Sequence, residues 1–200
     1  MKIVVVVDMQ NDFIDGVLGT PEAQAIVPVM VDRLHELDDG NTLLFFTKDT
    51  HSLDYYNTQE GQKLPVAHCI EGTSGWSINK QISSYVDYGS NFLTYSTHDI
   101  RKSRVLKHTF GSTELAAIIR DLSHKCLAAS NEVPDTKLDE VILMGVCTDI
   151  CVVSNALLLK AYCPEILITV DASCCAGVTP ETHTAALTTM KSCQINVIND

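Results

Sequence analysis

The sequence predicts a doubly wound, three-layer α/β/α domain built on a parallel sheet, and three observations support this fold class. Short apolar runs rich in β-branched residues recur without polar alternation, which is typical of strands buried on both faces. Segments with helical periodicity lie between these runs. The 200 residues, 46% of them hydrophobic, can form a substantial core, and no linker-like segment divides them. We therefore predict a single domain over residues 1–200.

The predicted strands follow one another at the spacing that α/β proteins require. They are KIVVVVD (2–8), TLLFFTKD (42–49), SRVLKH (103–108), EVILMGV (140–146), EILITVD (165–171) and INVI (195–198). Strands that alternate with helices favour a parallel sheet with helices packed on it.

Two of the intervening helices carry clear signals. Apolar residues at helical spacing predict one buried helix face formed by Leu115, Ile118, Ile119, Leu122 and Cys126. Thr179 followed by Pro180 predicts an N-cap and a proline at the first helical position, which opens a helix through about Met190. After Gly145, the pair Thr148-Asp149 is predicted to cap the helix that contains Cys151.

The composition limits which classes of partner and which cellular compartment we expect for the protein. The formal net charge of -11 argues against a nucleic-acid partner, because phosphate binding requires clustered Lys and Arg. The apolar run at the N-terminus ends at Asp8 and is too short for a signal peptide, and no run approaches the roughly 18 residues of a membrane span. We expect a cytoplasmic protein without membrane association, in which the eight cysteines stay reduced.

Chemically capable side chains stand where the predicted strands end. In doubly wound sheets the ligand site lies at the carboxyl ends of the strands, which here carry Asp8, Asp49, Lys107 and the turn into Cys151. Cys151 in a first helical turn would have a lowered thiol pKa and N–H groups able to hold an oxyanion. Each residue alone is equally typical of a structural role. Together they indicate a nucleophile, a base with a pKa raised by burial, and a charge stabiliser.

A second group of residues predicts a metal site. It lies in the longest stretch without clear periodicity, roughly 48–77, and consists of Asp49, His51, Glu60 and His68. Two imidazoles with one or two carboxylates suit Zn²⁺, Fe²⁺ or Mn²⁺. On spacing alone, solvated surface residues would be the better explanation.

Five stretches in this order resemble the isochorismatase-like cysteine hydrolase superfamily, and within it the nicotinamidases and related amidases. They are VVVVDMQNDFIDG (4–16), TKDTH (47–51), LPVAHCIEGTSGW (64–76), VLKHTFGST (105–113) and GVCTDICVVSNAL (145–157). The resemblance implies a parallel, roughly six-stranded central sheet with helices on both faces. It also implies a homo-oligomer, a dimer or a tetramer.

The resemblance assigns a catalytic triad of Asp8, Lys107 and Cys151. Asp8 would take the thiol proton, and Cys151 would attack an amide carbonyl, release ammonia and form a thioester that water hydrolyses. A cis peptide in the family lies just upstream of the nucleophile, which by position is Val146–Cys147. It would aim the Cys147 N–H at the oxyanion together with the Cys151 N–H.

The resemblance also assigns ligands and a substrate pocket. Asp49, His51 and His68 match a divalent-metal pattern, with zinc favoured, and Glu60 matches a variable further ligand. Phe13 matches an aromatic residue that lines the ring pocket. Leu64, where nicotinamidases often carry an aromatic residue, and Trp76 are the other two predicted substrate-binding residues. Tyr55 or Tyr56 is a further candidate to supply the missing ring.

The sequence is compatible with three functions. The favoured one is a cysteine-dependent amidohydrolase that releases ammonia from a small carboxamide, nicotinamide above all. Another superfamily activity is the alternative, either ureide or carbamoyl-amide hydrolysis or, less favoured, isochorismate hydrolysis. A thiol redox or metal-binding protein built on Cys147, Cys151 and the pair Cys174-Cys175 is the third, although C-x₃-C is not the usual redox spacing.

Overall fold

The computed structural model describes residues 1–86, 102–130 and 137–200, with side chains of the second range described through His124. The predicted role of the Cys126 side chain therefore lies outside the described residues. The strands are β1 (Lys2–Val7), β2 (Thr42–Asp49), β3 (Lys102–Lys107), β4 (Glu140–Val146), β5 (Leu167–Ala176) and β6 (Asn196–Ile198). The helices are α1 (Asn11–Ile14), α2 (Pro21–Leu37), α3 (Gln59–Lys63), α4 (Lys80–Ser83), α5 (Thr113–Ser130), α6 (Val153–Tyr162) and α7 (Pro180–Ser192).

All six strands form one parallel sheet in the order β3-β2-β1-β4-β5-β6. The order reverses direction between β1 and β4, so the chain winds outward from the centre in both directions. Helix α2 packs against β5 and contacts α1 and α4, whereas α5, α6 and α7 contact one another in series. The predicted doubly wound α/β class is confirmed.

The central strands are buried because their residues are apolar on both faces. Ile3 through Val7 are almost fully buried in β1, and the apolar residues of β4 are buried as well. Gly145 packs β4 closely on β1, since a Cβ atom there would lie 2.1 Å from the Val7 carbonyl oxygen. Its φ of 132° also favours glycine. This close packing fixes the relative positions of the two strand ends that carry the site.

The end of strand β5 differs from the prediction. Strand β5 does not end at Asp171 but runs to Ala176, because its pairing with β4 resumes after a register shift and places Cys175 beside Gly145. Cys174 and Cys175 therefore lie inside a buried strand. The N-cap at Thr179 and the start of α7 at Pro180 are confirmed. Within the described ranges, no helix combines the length and apolarity needed to cross a bilayer.

Candidate active site

Three of the predicted residues meet at the carboxyl edge of the sheet. The Lys107 ammonium at the end of β3 lies 2.6 Å from Asp8 Oδ2 and 3.5 Å from Cys151 Sγ. Asp8 follows β1, and Cys151 lies in the turn that follows the adjacent strand β4. All three side chains are buried. The structure thus joins a carboxylate, an ammonium and a thiol in one small volume.

Thr47 holds the Asp8 carboxylate in place. Asp8 has a φ of 50°, which is uncommon outside glycine and must be supported by its surroundings. The Thr47 hydroxyl donates to Asp8 Oδ1 at 2.7 Å and accepts from the Asp8 N–H at 3.1 Å. Sequence reasoning missed Thr47. Its position two residues before Asp49, on the same side of β2, was the available signal.

The ion pair sets the charges of two of these groups. Burial raises the pKa of Asp8, and the nearby Lys107 charge opposes this shift. Burial would lower the pKa of Lys107, but the charges of Asp8 and Asp49 outweigh burial and raise it. The lysine therefore stays protonated, and Asp8 is a stronger base than an exposed aspartate.

The predicted lowering of the Cys151 thiol pKa is wrong. Burial first, and then the negative charge of Asp8 and its hydrogen bond to the thiol, raise this pKa well above 9.0, although Lys107 opposes the shift. Desolvation of the sulfur outweighs the position at the start of a helical segment. The thiol consequently keeps its proton in the resting site, and a base is needed to remove it.

Cys151 lies in a π-helical turn, Thr148–Val152, that precedes α6. The peptide bond between Val146 and Cys147, just before this turn, is cis. The Cys147 carbonyl accepts hydrogen bonds from the N–H groups of Ile150 and Val152 at 3.1 and 3.0 Å. Turns of this kind are rare and are frequent at functional sites.

The prediction that Thr148-Asp149 caps the following helix is wrong. The N-cap residue of the π-helical turn is Cys147, and the N-cap of α6 is Val152; neither makes a side-chain cap hydrogen bond. The Thr148 hydroxyl instead lies 2.8 Å from His183 Nδ1, and Asp149 Oδ1 accepts from the Val178 N–H at 3.1 Å. Thr148 thus contacts the first turn of α7, and Asp149 contacts the segment just before it.

Asn155 is a second supporting residue that sequence reasoning missed. Its amide nitrogen donates to the Cys151 carbonyl at 2.8 Å and to the Phe110 carbonyl at 3.3 Å. Its Oδ1 accepts from the Ser112 N–H at 2.9 Å. The buried amide joins the cysteine turn to the segment after β3. Its position four residues after Cys151, on the same helix face, was the available signal.

The predicted metal ligands converge beside this group. One ligand atom from each of Asp49, His51, Glu60 and His68 lies within 4.8 Å of the others. His68 Nδ1 lies 2.9 Å from the Val66 carbonyl, so this nitrogen carries the proton and Nε2 faces the cluster. Two imidazoles and two carboxylates suit a divalent cation, so the donor set fits the predicted metal. Glu60 lies in α3, a short helix within the stretch that lacked periodicity.

Asp49 links the metal-ligand cluster to the ion pair. Its Oδ2 lies 2.9 Å from His51 Nε2, and its Oδ1 accepts from Lys107 at 3.2 Å. Burial would raise the pKa of Asp49, but hydrogen bonds from His51 and His68 and the Lys107 charge hold it well below its usual range. The carboxylate is therefore ionised and available to a cation.

Gln10 fixes the backbone of Asp49. Its fully buried amide donates to the Asp49 carbonyl at 2.9 Å and accepts from the Asp49 N–H at 2.7 Å. The same amide nitrogen donates to the Trp76 carbonyl at 3.0 Å. Gln10 was not predicted, because an isolated Gln gives no sequence signal for a role of this kind.

A cavity of about 700 Å³ opens onto the thiol and the metal-ligand cluster. Phe13, Leu18, Leu64, Phe110, Ile150 and Val178 supply most of its apolar wall. Cys151, Asp49, Glu60 and His68 line its polar side. The Phe13 ring lies edge-on to His68, with ring centroids 5.4 Å apart. Such a cavity suits a small molecule with an apolar body and one reactive polar group.

Two of the three predicted substrate-binding residues, Phe13 and Leu64, line this cavity. Trp76 does not, and its prediction is corrected: its indole N–H donates to Thr50 Oγ1 at 2.9 Å, and Lys48 Nζ lies 2.9 Å from the centre of its ring. Tyr55 is also directed elsewhere, since its hydroxyl donates to the Leu64 carbonyl at 2.9 Å. Of the described aromatic residues, Phe13 and Phe110 line the cavity.

Sheet and site together define a doubly wound α/β enzyme whose polar groups converge at the carboxyl ends of its strands. The model of the isochorismatase domain family matches residues 2–199. The chain belongs to this family.

Known relatives agree with this membership. The nicotinamidase of Schizosaccharomyces pombe is 26% identical over 224 aligned residues, which cover 98% of this chain and 92% of that protein. The structure of the pyrazinamidase/nicotinamidase of Streptococcus mutans superposes with a TM-score of 0.74 at 26% identity and covers 99% of this chain and 100% of that one. The Pyrococcus horikoshii pyrazinamidase structure in complex with zinc shares the fold, with a TM-score of 0.71 at 21% identity over 100% of this chain and 99% of that one. The prediction of a hydrolase for amide C–N bonds is confirmed.

Proposed function

We propose that the protein is a cysteine-dependent amidohydrolase that converts a small carboxamide to its acid, with nicotinamide as the favoured substrate. The observation that carries this proposal is the position of Lys107, 2.6 Å from Asp8 and 3.5 Å from the sulfur of Cys151, a residue that lines the apolar cavity. The nicotinamidases among the relatives support the choice of substrate.

In the proposed reaction Asp8 takes the Cys151 proton as the sulfur attacks the amide carbonyl carbon. The N–H groups of Cys147 and Cys151 receive the oxyanion. When the C–N bond breaks, Asp8 returns its proton to the nitrogen, and ammonia leaves. Water then attacks the thioester and gives a proton to Asp8, the C–S bond breaks, and the proton returns to the sulfur. Lys107 stays charged throughout and stabilises the ionised forms of Asp8 and Cys151.

Asp49, His51, Glu60 and His68 would hold a divalent metal ion, with zinc favoured by the two imidazoles. When bound, such an ion supplies a Lewis acid for a ring nitrogen or another donor atom of the substrate. Asp49 also touches Lys107, so occupancy of the metal-ligand cluster and the charge of the ion pair are coupled.

One observation favours a second substrate class. Leu64, an aliphatic residue, lines the cavity at a position where the resemblance predicts an aromatic ring. An aliphatic wall would accept a non-aromatic ureide or carbamoyl amide equally well. Isochorismate hydrolysis is less favoured, because that reaction does not use the cysteine.

A substrate panel tests both candidates. Metal-replete protein and Cys151→Ala would be assayed for ammonia release from nicotinamide, pyrazinamide and a set of N-carbamoyl compounds. We expect release from the ring amides by the wild type alone. Ammonia release from the carbamoyl compounds only would favour the second substrate class. Ammonia release by Cys151→Ala would show that Cys151 is not the nucleophile.

We also propose a cytoplasmic homo-oligomer, a dimer or a tetramer. The free state of the seven described cysteines supports a reducing compartment. Exposed apolar side chains beside the cysteine turn and the edge strand β3, including Leu106, Phe110 and Leu157, are consistent with a subunit contact. Light scattering of the purified protein would test the oligomeric state.

A further inference from the structure

The π-helical turn that carries Cys151 is bound to α7 by a pair of side chains. Thr148 Oγ1, on a fully buried residue, lies 2.8 Å from His183 Nδ1. A buried hydroxyl without a hydrogen bond is costly, and His183 supplies the partner. Thr148 is three residues from Cys151, so this contact acts on the backbone that places the sulfur.

The segment that presents His183 is well fixed. Thr179 and Thr182 form a reciprocal capping box, and Pro180 occupies the first turn of α7. Gly177 packs directly against His183, since a Cβ atom at residue 177 would lie 2.8 Å from the His183 Cβ. The imidazole therefore projects from a rigid support.

Within the turn, the Cys147 carbonyl accepts from the N–H groups of Ile150 and Val152, and the Asn155 amide donates to the Cys151 carbonyl. Its N-cap residue, Cys147, makes no side-chain cap hydrogen bond. A second contact comes from Asp149, whose Oδ1 accepts from the Val178 N–H at 3.1 Å. The side-chain contacts of Thr148 and Asp149 are made with residues at or just before the start of α7, so we expect that segment to contribute to the position of the turn.

We propose that His183 is a positioning residue that acts through Thr148 to hold the π-helical turn, and with it Cys151 Sγ, against Asp8 and Lys107. The inference rests on the proposed function of Cys151 as nucleophile. Burial lowers the pKa of His183, so its imidazole is neutral near neutral pH and can accept the Thr148 hydroxyl proton. Loss of the pair would free the turn and displace the sulfur from its two partners.

The test uses paired variants and one control. Thr148→Val and His183→Leu remove the hydrogen bond, whereas Thr148→Ser and His183→Asn keep a polar partner at each end. Thr184→Val is the control, because the Thr184 hydroxyl donates within α7 to the Pro180 carbonyl and is exposed. For each variant we would measure kcat and KM for ammonia release. The rate at which iodoacetamide modifies Cys151 at fixed pH, followed by mass spectrometry, gives a second readout.

We expect Thr148→Val and His183→Leu to lower kcat about tenfold or more, because small displacements of reacting groups are costly, while KM changes less than about twofold. Alkylation of Cys151 should become faster as the turn loosens and exposes the sulfur. Thr148→Ser and His183→Asn should recover most of the lost kcat, and Thr184→Val should match the wild type. The double variant Thr148→Val/His183→Leu should be no slower than the slower single variant, since both remove one contact.

Unchanged kcat and unchanged alkylation in both apolar variants would overturn the proposal. It would also be overturned if the polar variants were as impaired as the apolar ones, or if the losses multiplied in the double variant. If the wild type releases no ammonia from any amide, the proposed function fails, and the alkylation rates decide the positioning role. Faster alkylation in Thr148→Val and His183→Leu, but not in Thr184→Val, would then support it, and equal rates would overturn it.

Discussion

Lys107 and Asp8 form an ion pair in the interior of the protein, with 2.6 Å between Nζ and Oδ2 and with 1% and 0% of their side chains exposed. Lys107 also contacts Asp49 and Cys151, so one ammonium serves two carboxylates and a thiol. The thiol keeps its proton because burial raises its pKa, and Asp8 is the base beside it. In the proposed reaction, one proton would pass from this sulfur to the carboxylate of the pair.

Removal of the Lys107 charge should affect stability and activity together. In Lys107→Met, two buried carboxylates lose their counter-ion, and breaking a buried pair in this way costs about 3–5 kcal/mol. We expect ammonia release to become undetectable and the urea midpoint to fall. Lys2→Met is the control, because Lys2 is half exposed and its pair with Glu140 is worth at most about 1 kcal/mol. Equal stabilities of the two variants would contradict the role assigned to the buried pair.

The acid limb of the pH–activity profile should follow the protonation of the Asp8 carboxylate. Protonated Asp8 cannot accept the thiol proton, so kcat/KM should fall as the pH drops through its pKa, which burial places above the ordinary value of 3.8. The Thr47 hydroxyl donates to the charged carboxylate and lowers this pKa, so Thr47→Val should move the limb to higher pH. Thr47→Ser, which keeps a hydroxyl, should leave the limb in place. A shift to lower pH in Thr47→Val would show that another group controls this limb.

The metal-ligand cluster predicts which histidines retain metal. His51→Ala and His68→Ala should each lose bound zinc after dialysis, whereas the wild type should keep about one ion per chain. His35→Ala is the matched control, because His35 is exposed in the last turn of α2. Elemental analysis of the dialysed proteins gives the readout. Full zinc occupancy in either cluster variant would contradict the assigned ligands.

The two aromatic residues Phe13 and Trp76 should behave differently. Phe13 lines the cavity, so Phe13→Leu should raise KM for nicotinamide by roughly three- to tenfold, in line with the loss of one aromatic contact. Trp76 donates to Thr50 and lies under Lys48, so Trp76→Leu should lower the melting temperature and leave KM unchanged. Steady-state kinetics and thermal unfolding of both variants would show this division. If Trp76→Leu raised KM and Phe13→Leu did not, Trp76 and not Phe13 would be the residue that contacts the substrate.

Much of the architecture could be predicted from sequence because it depends on local pattern. Buried parallel strands such as Lys2–Val7 are continuous apolar runs, and their alternation with helices determines the fold class. The convergence of Asp8, Asp49 and Lys107 followed from the rule that parallel strands bring their carboxyl ends to one edge.

Other features depended on tertiary contacts that no local pattern reveals. The hydrogen bonds of Thr47 and Gln10 run between strand β2 and the segment around Asp8. Gln10 has no sequence signature, and the spacing of Thr47 from Asp49 indicates only that the two share a face of β2. The thiol pKa of Cys151 was mispredicted because burial, a property of the folded protein, outweighed the helical position. Trp76 was misplaced because its partners, Thr50 and Lys48, come from a different part of the chain.

Cys151 alone is the proposed nucleophile, and Cys147 is proposed to act through its backbone N–H. Burial raises the pKa of both thiols, that of Cys147 to about 12, but it is the Cys151 sulfur that lies 3.5 Å from Lys107, the partner of Asp8. The most direct measurement is the rate of ammonia release from nicotinamide by Cys151→Ala and Cys147→Ala, each loaded with metal. We expect almost no release from Cys151→Ala and most of the wild-type rate from Cys147→Ala. Equal loss in the two variants would contradict this assignment and favour a paired role for the two thiols.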